Sequence, residues 1–106
     1  MSEYYPDRWV IIDHGEEYNE EKIRYSVLGS WYGGFAGSDY WRRSSPIGSI
    51  VLESPEMAVA TTRSGAKYYL HQNAEGQSLL ISQLLANTNL KTADDLNEVI
   101  DFLKKD

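Results

Sequence analysis

Apolar and polar positions recur with two different periods along this chain, and the change of period divides it into two parts. From about residue 8 to residue 71 the apolar residues fall in short runs or at every second position, which is typical of β-strands. From about residue 77 onward they recur at helical spacing, on one face of each predicted helix. The pattern therefore predicts a sheet-forming segment followed by a helical segment.

Five segments of the first part are predicted strands. Arg8–Asp13 is apolar at both alternating phases, which indicates a central strand buried on both faces. Lys22–Trp31 alternates apolar and polar residues, which predicts a half-exposed strand that pairs antiparallel with the first. The other three strands are Ile47–Glu53, Met57–Thr62 and Ala66–His71.

Two helices are predicted in the second part. The first begins after Ser78, which suits an N-cap, and ends at Asn87–Asn89. The second begins at Thr92, with Asp95 as its capping partner. Strands followed by helices predict an α+β domain: a five-stranded antiparallel meander with two C-terminal helices packed on one face.

The hydrophobic core is expected to draw on both parts. Apolar residues make up 42% of the chain and charged residues 25%, close to the average for globular proteins. A chain of 106 residues suits one core, so we interpret residues 1–106 as a single domain. The residues expected to be buried are Val10, Ile12, Val27, Val51, Val59, Leu80, Leu84, Leu96, Ile100 and Leu103.

The net charge of -6 is unevenly distributed. Residues 22–67 carry six basic and three acidic side chains, whereas the flanking segments are acidic. A pI near 4.8 argues against general binding to duplex DNA but not against a small local anion site. Cysteine is absent, no apolar run approaches the roughly 18 residues that span a bilayer, and Met1–Tyr5 lacks the features of a signal peptide. We therefore expect a cytoplasmic protein without a membrane partner.

The segment with the most distinctive composition is residues 31–43. It holds five of the thirteen aromatic residues, three of the eight glycines and two arginines. Trp, Tyr and Arg are the side chains that most often anchor protein interfaces, and glycine permits tight turns. The predicted binding residues are Trp31, Tyr32, Phe35, Tyr40, Trp41, Arg42 and Arg43. The pattern leaves two alternatives open: an interface, or a connection whose aromatic side chains cap the core.

Catalytic patterns are weak. Asp13-His14-Gly15 comes nearest, because a histidine beside a carboxylate is a candidate general base. Adjacent strand residues point to opposite faces, however, so Asp13 is not expected to orient His14. The second histidine, His71, brings no further clear metal ligand with it. We therefore predict a non-enzymatic protein with no catalytic residue, no metal site and no cofactor.

Two short patterns carry a resemblance to a group of phage proteins. They are Trp41-Arg42-x-Ser44-Ser45-x-Ile47 and Thr62-x-Ser64-Gly65-x-x-Tyr68-x-Leu70. The segment from about residue 25 to residue 70 thereby resembles short uncharacterised proteins of bacteriophages and prophages. The resemblance implies a setting, among accessory proteins that bind host or virion components, and no mechanism.

Two function hypotheses follow. The first is a small binding or accessory module that acts on a protein partner through residues 31–43 and is monomeric or weakly self-associating. The alternative is an acidic nucleic-acid mimic, or an inhibitor of a nucleic-acid-processing enzyme, in which carboxylates imitate a phosphate backbone. Its candidate residues are Glu16, Glu17, Glu20 and Glu21. A small hydrolase ranks third and would need a cleft that joins His14 or His71 to other polar groups.

Overall fold

The computed structural model describes residues 2–32, 40–93 and 95–104. Within these ranges the chain forms eight strands and two helices. The strands are β1 (Glu3–Tyr4), β2 (Arg8–Asp13), β3 (Tyr25–Trp31), β4 (Tyr40–Arg43), β5 (Ile47–Ser54), β6 (Met57–Thr62), β7 (Lys67–His71) and β8 (Lys91–Thr92). The helices are α1 (Leu79–Thr88) and α2 (Leu96–Lys104).

The strands form two four-stranded sheets rather than one meander. Sheet 1 has the order β1-β7-β6-β5, and sheet 2 has the order β4-β3-β2-β8. Two antiparallel meanders, β2-β3-β4 and β5-β6-β7, are completed by β1, which is parallel to β7, and by β8, which is antiparallel to β2. The α+β class is confirmed, and the single five-stranded meander is wrong. The short strands β1, β4 and β8 were not predicted.

Burial on both faces of β2 explains this architecture. Trp9 and Ile11 project into the main core between the sheets, whereas Val10 and Ile12 project into a second core beneath α1. The prediction of a central strand buried on both faces is confirmed. One sheet covered on one face would leave half of these side chains in water, so a second sheet and a helix cover opposite faces.

The two helices occupy different places, which corrects the prediction that both pack on one face. Helix α1 covers sheet 2 through Ile81, which joins the second core. Helix α2 packs against β5 and contributes Val99 and Ile100 to the main core. Each helix thus completes a separate apolar cluster.

The predicted helix boundaries are confirmed for α1 and corrected for α2. Ser78 caps α1, since its Oγ accepts a hydrogen bond from the Ile81 backbone N–H at 3.2 Å. Asn89 ends the helix in the left-handed region, at φ 57°. Helix α2 begins at Leu96, because Thr92 lies in β8 and pairs with Ile12 of β2.

Strand β3 is more buried than its alternating pattern predicted. It begins at Tyr25, and every residue before Trp31 is buried. The polar face is covered by α1 and satisfied internally: the Ser30 hydroxyl donates a hydrogen bond of 2.8 Å to Ser78 Oγ. The prediction of a half-exposed strand is wrong, because small hydroxyl side chains can be buried when each finds a partner.

The expected core is confirmed at half of its positions. Five residues are buried: Val10, Ile12, Val27, Val59 and Ile100. Four are half-buried: Leu80, Leu84, Leu96 and Leu103. Val51 is 59% exposed, which contradicts the prediction. It lies on β5, the edge strand of sheet 1, where alternation continues without a covering layer.

Within the described ranges, the structure contains no helix long and apolar enough to cross a membrane.

A comparison of two α1 variants tests how this helix covers sheet 2. Ile81→Ala should lower the free energy of unfolding by about 2–5 kcal/mol, because the side chain is fully buried in the second core. Leu79→Ala, in the same helix but exposed, should change it by less than about 0.5 kcal/mol. Urea unfolding of both variants measures the difference. Equal losses would show that α1 does not cover the sheet as described.

Candidate functional site

Strand β4 forms an exposed edge of sheet 2. Tyr40 is 49% exposed and Trp41 45% exposed, and Arg42 and Arg43 are exposed as well. The strand pairs antiparallel with β3, with Tyr40 opposite Trp31 and Arg43 opposite Leu28. Four consecutive exposed side chains on an edge strand, two aromatic and two cationic, are the basis of the candidate surface.

The side chains of β4 alternate between two faces of sheet 2. Tyr40 and Arg42 lie on the face directed toward sheet 1, whereas Trp41 and Arg43 lie on the α1 face. The adjacent arginines of the sequence therefore do not form one cationic site. Each arginine instead accompanies an aromatic residue two positions earlier in the chain.

The face with Tyr40 is an aromatic cluster. The Tyr40 ring stacks on Trp31 with centroids 5.0 Å apart and planes at 7°. Trp31 also meets Tyr4 edge-on at 6.2 Å, and the Arg42 guanidinium lies 4.8 Å from the centre of the Tyr4 ring. These side chains border a recess of about 380 Å³. Stacking fixes the orientation of the rings, so this face is preorganised.

The face with Trp41 borders an apolar groove between β4 and α1. The groove has a volume of about 370 Å³. Its lining residues are Ile12, Leu28, Trp41, Arg43, Leu84, Thr88 and Leu90. Arg43 is the charged residue among them. Such a groove suits an apolar group with an anionic group nearby.

The predicted binding residues differ in burial. Trp31 is half-buried, and its indole Nε1 donates a hydrogen bond of 3.0 Å to the Tyr5 carbonyl oxygen. Tyr32 is 51% exposed, and its backbone N–H donates to Asp7 Oδ2 at 2.8 Å. Phe35 lies outside the described residues. Trp31 is thus tied to internal contacts, whereas Tyr32, Tyr40 and Trp41 are exposed, so burial differs along the segment.

Several contributors to the surface were missed from the sequence. Tyr4 comes from β1 and reaches the cluster by tertiary folding, stacking on Tyr68 of β7 at 4.8 Å. Leu84 was expected in the core and Leu90 was left unassigned, yet both line the groove. The Tyr4-Tyr5 pair was a visible aromatic signal near the N-terminus, but no local pattern connects it to residue 31.

His14 lies in a cleft of about 330 Å³ that Arg43 also lines. Its Nε2 is 3.0 Å from Ser26 Oγ, and Ser26 is only 2% exposed. Burial, and then the nearby charge of Arg43, lower the pKa of His14 below its usual value. The Ser26 hydroxyl is therefore buried away from any substrate in the cleft.

Asp13 is committed to Arg24 rather than to His14. The Arg24 Nε and Nη2 atoms donate to the two carboxylate oxygens of Asp13 at 2.7 and 2.9 Å. The hydrogen bonds from Arg24 hold the pKa of Asp13 below its usual value despite partial burial. The sequence argument that Asp13 does not orient His14 therefore agrees with the geometry.

Of the acidic residues 16–21, Glu16 and Glu17 line a cavity of about 630 Å³. Residues Glu16–Tyr18 form a short 3₁₀-helix. The side chains of Glu16, Glu17, Glu20 and Glu21 are exposed. In the part of the chain that the structure describes, no three His, Asp or Glu side chains are grouped so that they could hold a metal ion.

Comparisons with protein-family models, with curated proteins and with solved structures find no match to this chain. The similarity to phage proteins therefore stays an expectation from the sequence.

The Asp13–Arg24 pair predicts a pH dependence of stability. The folded state lowers the pKa of Asp13, so its contribution is present above the unfolded pKa of about 3.9 and is lost as the pH falls through the folded pKa. Asp13→Asn should therefore flatten the decline of melting temperature between about pH 5 and pH 2. Glu53→Gln, which removes an exposed acid, is the control. An unchanged acid limb in Asp13→Asn would contradict the pairing.

The two tryptophans of the surface should differ in their effect on stability. Trp31→Ala removes stacked contacts and a hydrogen bond, and should lower the free energy of unfolding by roughly 2–4 kcal/mol, near the low end for buried Trp. Trp41→Ala should cost less, about 1 kcal/mol, because the side chain is exposed on an edge strand. Denaturant unfolding checks the order of the two losses. The reverse order would assign the structural role to Trp41.

Proposed function

We propose that this chain is a small non-enzymatic binding module that acts on a protein partner through the β4 surface, defined by Trp31, Tyr32 and Tyr40–Arg43. The observation that carries the proposal is the exposure of all four side chains of β4 on an edge strand. Side chains already buried in a core cannot bury new area on a partner, and these remain available. A cytoplasmic location, a monomeric or weakly associating state and the phage setting belong to the same proposal.

The chemistry of β4 supports this function. Tyr, Trp and Arg are enriched at the energetic centres of interfaces, because they bury large areas with few rotatable bonds or donate several hydrogen bonds. Here Trp31 is fixed by its hydrogen bond to the Tyr5 carbonyl and supports Tyr40 by stacking. A rigid, exposed aromatic side chain loses little entropy on binding.

The alternative function, an acidic nucleic-acid mimic or inhibitor of a nucleic-acid-processing enzyme, has one observation in its favour. The four glutamates of residues 16–21 are exposed, in a protein of net charge -6. They do not adjoin β4 in the groove or in the aromatic recess. The two functions therefore use different surfaces and can be separated by mutation.

Partner capture by matched charge variants tests the proposal. The protein is immobilised, exposed to lysate of its native host, and the retained proteins are quantified by mass spectrometry. Arg42→Ala combined with Arg43→Ala should reduce retention of the partner at least about tenfold, because interface arginines at energetic centres each contribute more than about 1 kcal/mol. The melting temperature should change little, since neither arginine is buried.

Two controls decide between the surfaces. Arg63→Ala combined with Lys104→Ala removes the same charge from exposed positions elsewhere and should leave capture unchanged. Replacing Glu16, Glu17, Glu20 and Glu21 by Gln should also leave it unchanged. Loss of capture in the glutamine variant alone, together with competition by DNA or RNA, would favour the nucleic-acid mimic and overturn the proposal.

A further inference from the structure

The backbone of β4 has hydrogen-bonding groups that face away from sheet 2. The Ser44 N–H donates to the Val27 carbonyl at 2.8 Å, so the backbone N–H of Ser44 faces β3 at the position that extends the β3–β4 register. Hydrogen-bonded and non-hydrogen-bonded pairs alternate in an antiparallel ladder. The N–H and C=O groups of Trp41 and Arg43 therefore point away from β3, to an edge of sheet 2 on which no other strand of residues 2–32, 40–93 and 95–104 pairs.

These outward groups belong to the residues whose side chains border the apolar groove. A strand added along β4 would hydrogen-bond to Trp41 and Arg43, and its residues opposite them would project on the same face, toward α1. One such side chain would lie beside Trp41, in the groove that Leu84 and Leu90 line. Trp41 and Arg43 thus belong both to the edge and to the lining of the groove.

The positive charge of Arg43 indicates which residue an added strand should place opposite it. Arg43 is exposed and makes no salt bridge to any side chain within residues 2–32, 40–93 and 95–104. Its charge also acts on His14, whose pKa it helps to lower. A cation that has no salt bridge among the described residues of the chain favours an acidic residue directly opposite it on an added strand.

The other exposed long edge is less suited to strand addition. Strand β5 also exposes apolar side chains, Val51 and Leu52. Its register with β6 shifts between Ile47 and Ser49 and again between Leu52 and Ser54, at bulges that interrupt a regular edge. Strand β4 keeps an unbroken register with β3 over its whole length.

We propose that the protein partner presents an extended acidic segment that adds to β4 as a further strand of sheet 2, with an apolar side chain in the groove beside Trp41 and a carboxylate against Arg43. This inference rests on the proposed function and names the chemistry of its partner. Because side chains on one face of a strand are separated by one residue, the segment carries an acidic and an apolar residue at alternate positions.

Selection of peptides on the intact protein tests the inference. A displayed library of random short peptides is selected on the immobilised chain, and the enriched sequences are synthesised for affinity measurement. The enriched peptides should combine an acidic and an apolar residue at alternate positions. Methylation of a backbone amide that pairs with β4 should weaken binding at least about tenfold, because it removes a donor from the ladder. Enrichment without either property, or no enrichment, would overturn strand addition.

Variants of the protein locate the bound peptide. Arg43→Gln should weaken the selected acidic peptide about fivefold, near the upper range for a cross-strand charge pair, and should no longer distinguish it from a peptide with glutamine in place of the acid. Lys104→Gln, which removes an exposed charge on α2, should leave the affinity unchanged. Thr88→Trp, at an exposed position on the wall of the groove, should block binding while the protein remains folded.

An NMR titration of His14 adds a readout that a merely structural effect would not give. A carboxylate placed against Arg43 should offset the repulsion that lowers the pKa of His14, so this pKa should rise when the acidic peptide binds and not when its glutamine counterpart binds. An unchanged pKa with saturated acidic peptide would contradict the proposed contact. If capture of the natural partner depends on β4 but no peptide meets these criteria, the binding function holds and strand addition is wrong.

Discussion

The structure depends on the burial of β2 from both faces. Trp9 and Ile12 point in opposite directions from this strand, and both are fully buried. Apolar burial on two faces requires a layer on each, and the chain supplies sheet 1 on one side and α1 on the other. A hydrogen bond of 2.7 Å from Trp9 Nε1 to the His71 carbonyl joins the two sheets across the main core. The placement of sheet 1 and of α1 on opposite sides of β2 follows from this requirement.

The character of β4 is a consequence of that arrangement. Strand β3 stands between β4 and the buried centre, so β4 completes sheet 2 as an edge, with its side chains exposed on both faces. The two faces differ because their neighbours differ. Tyr40 meets aromatic rings from β1 and β3, whereas Trp41 borders a groove whose other wall is α1. One short strand thereby offers an aromatic face, an apolar face and a backbone edge that no strand in the described part of the chain occupies.

Several polar groups near β2 and β3 are occupied within the protein. Asp13 is held by Arg24, and Ser26 is buried beside His14. Ser44 Oγ accepts a hydrogen bond from the Val27 N–H and donates to the Ser45 carbonyl. These contacts stabilise turns and strand ends, as expected for buried polar groups. The aromatic and cationic side chains of β4, by contrast, are exposed, and they are the basis of the proposed binding surface.

The candidate site was only partly predictable. The sequence located the segment, because its composition of Trp, Tyr, Arg and Gly is local information. It did not place Arg42 and Arg43 on opposite faces of the sheet, because that placement requires knowing that residues 40–43 form a strand paired with β3. It also missed Tyr4, Leu84 and Leu90, which reach the surface from distant parts of the chain.

By itself the sequence determined the elements whose signals are local. The limits of β2 and β6, the cap at Ser78 and the turn at Gly65, with φ at 91°, follow from periodicity and from the conformational preferences of single residues. Only the tertiary structure decided how the strands divide between two sheets, which helix covers which face and which aromatic side chains remain exposed. Those outcomes depend on contacts between residues far apart in sequence, and a local pattern of apolar positions does not specify its partner.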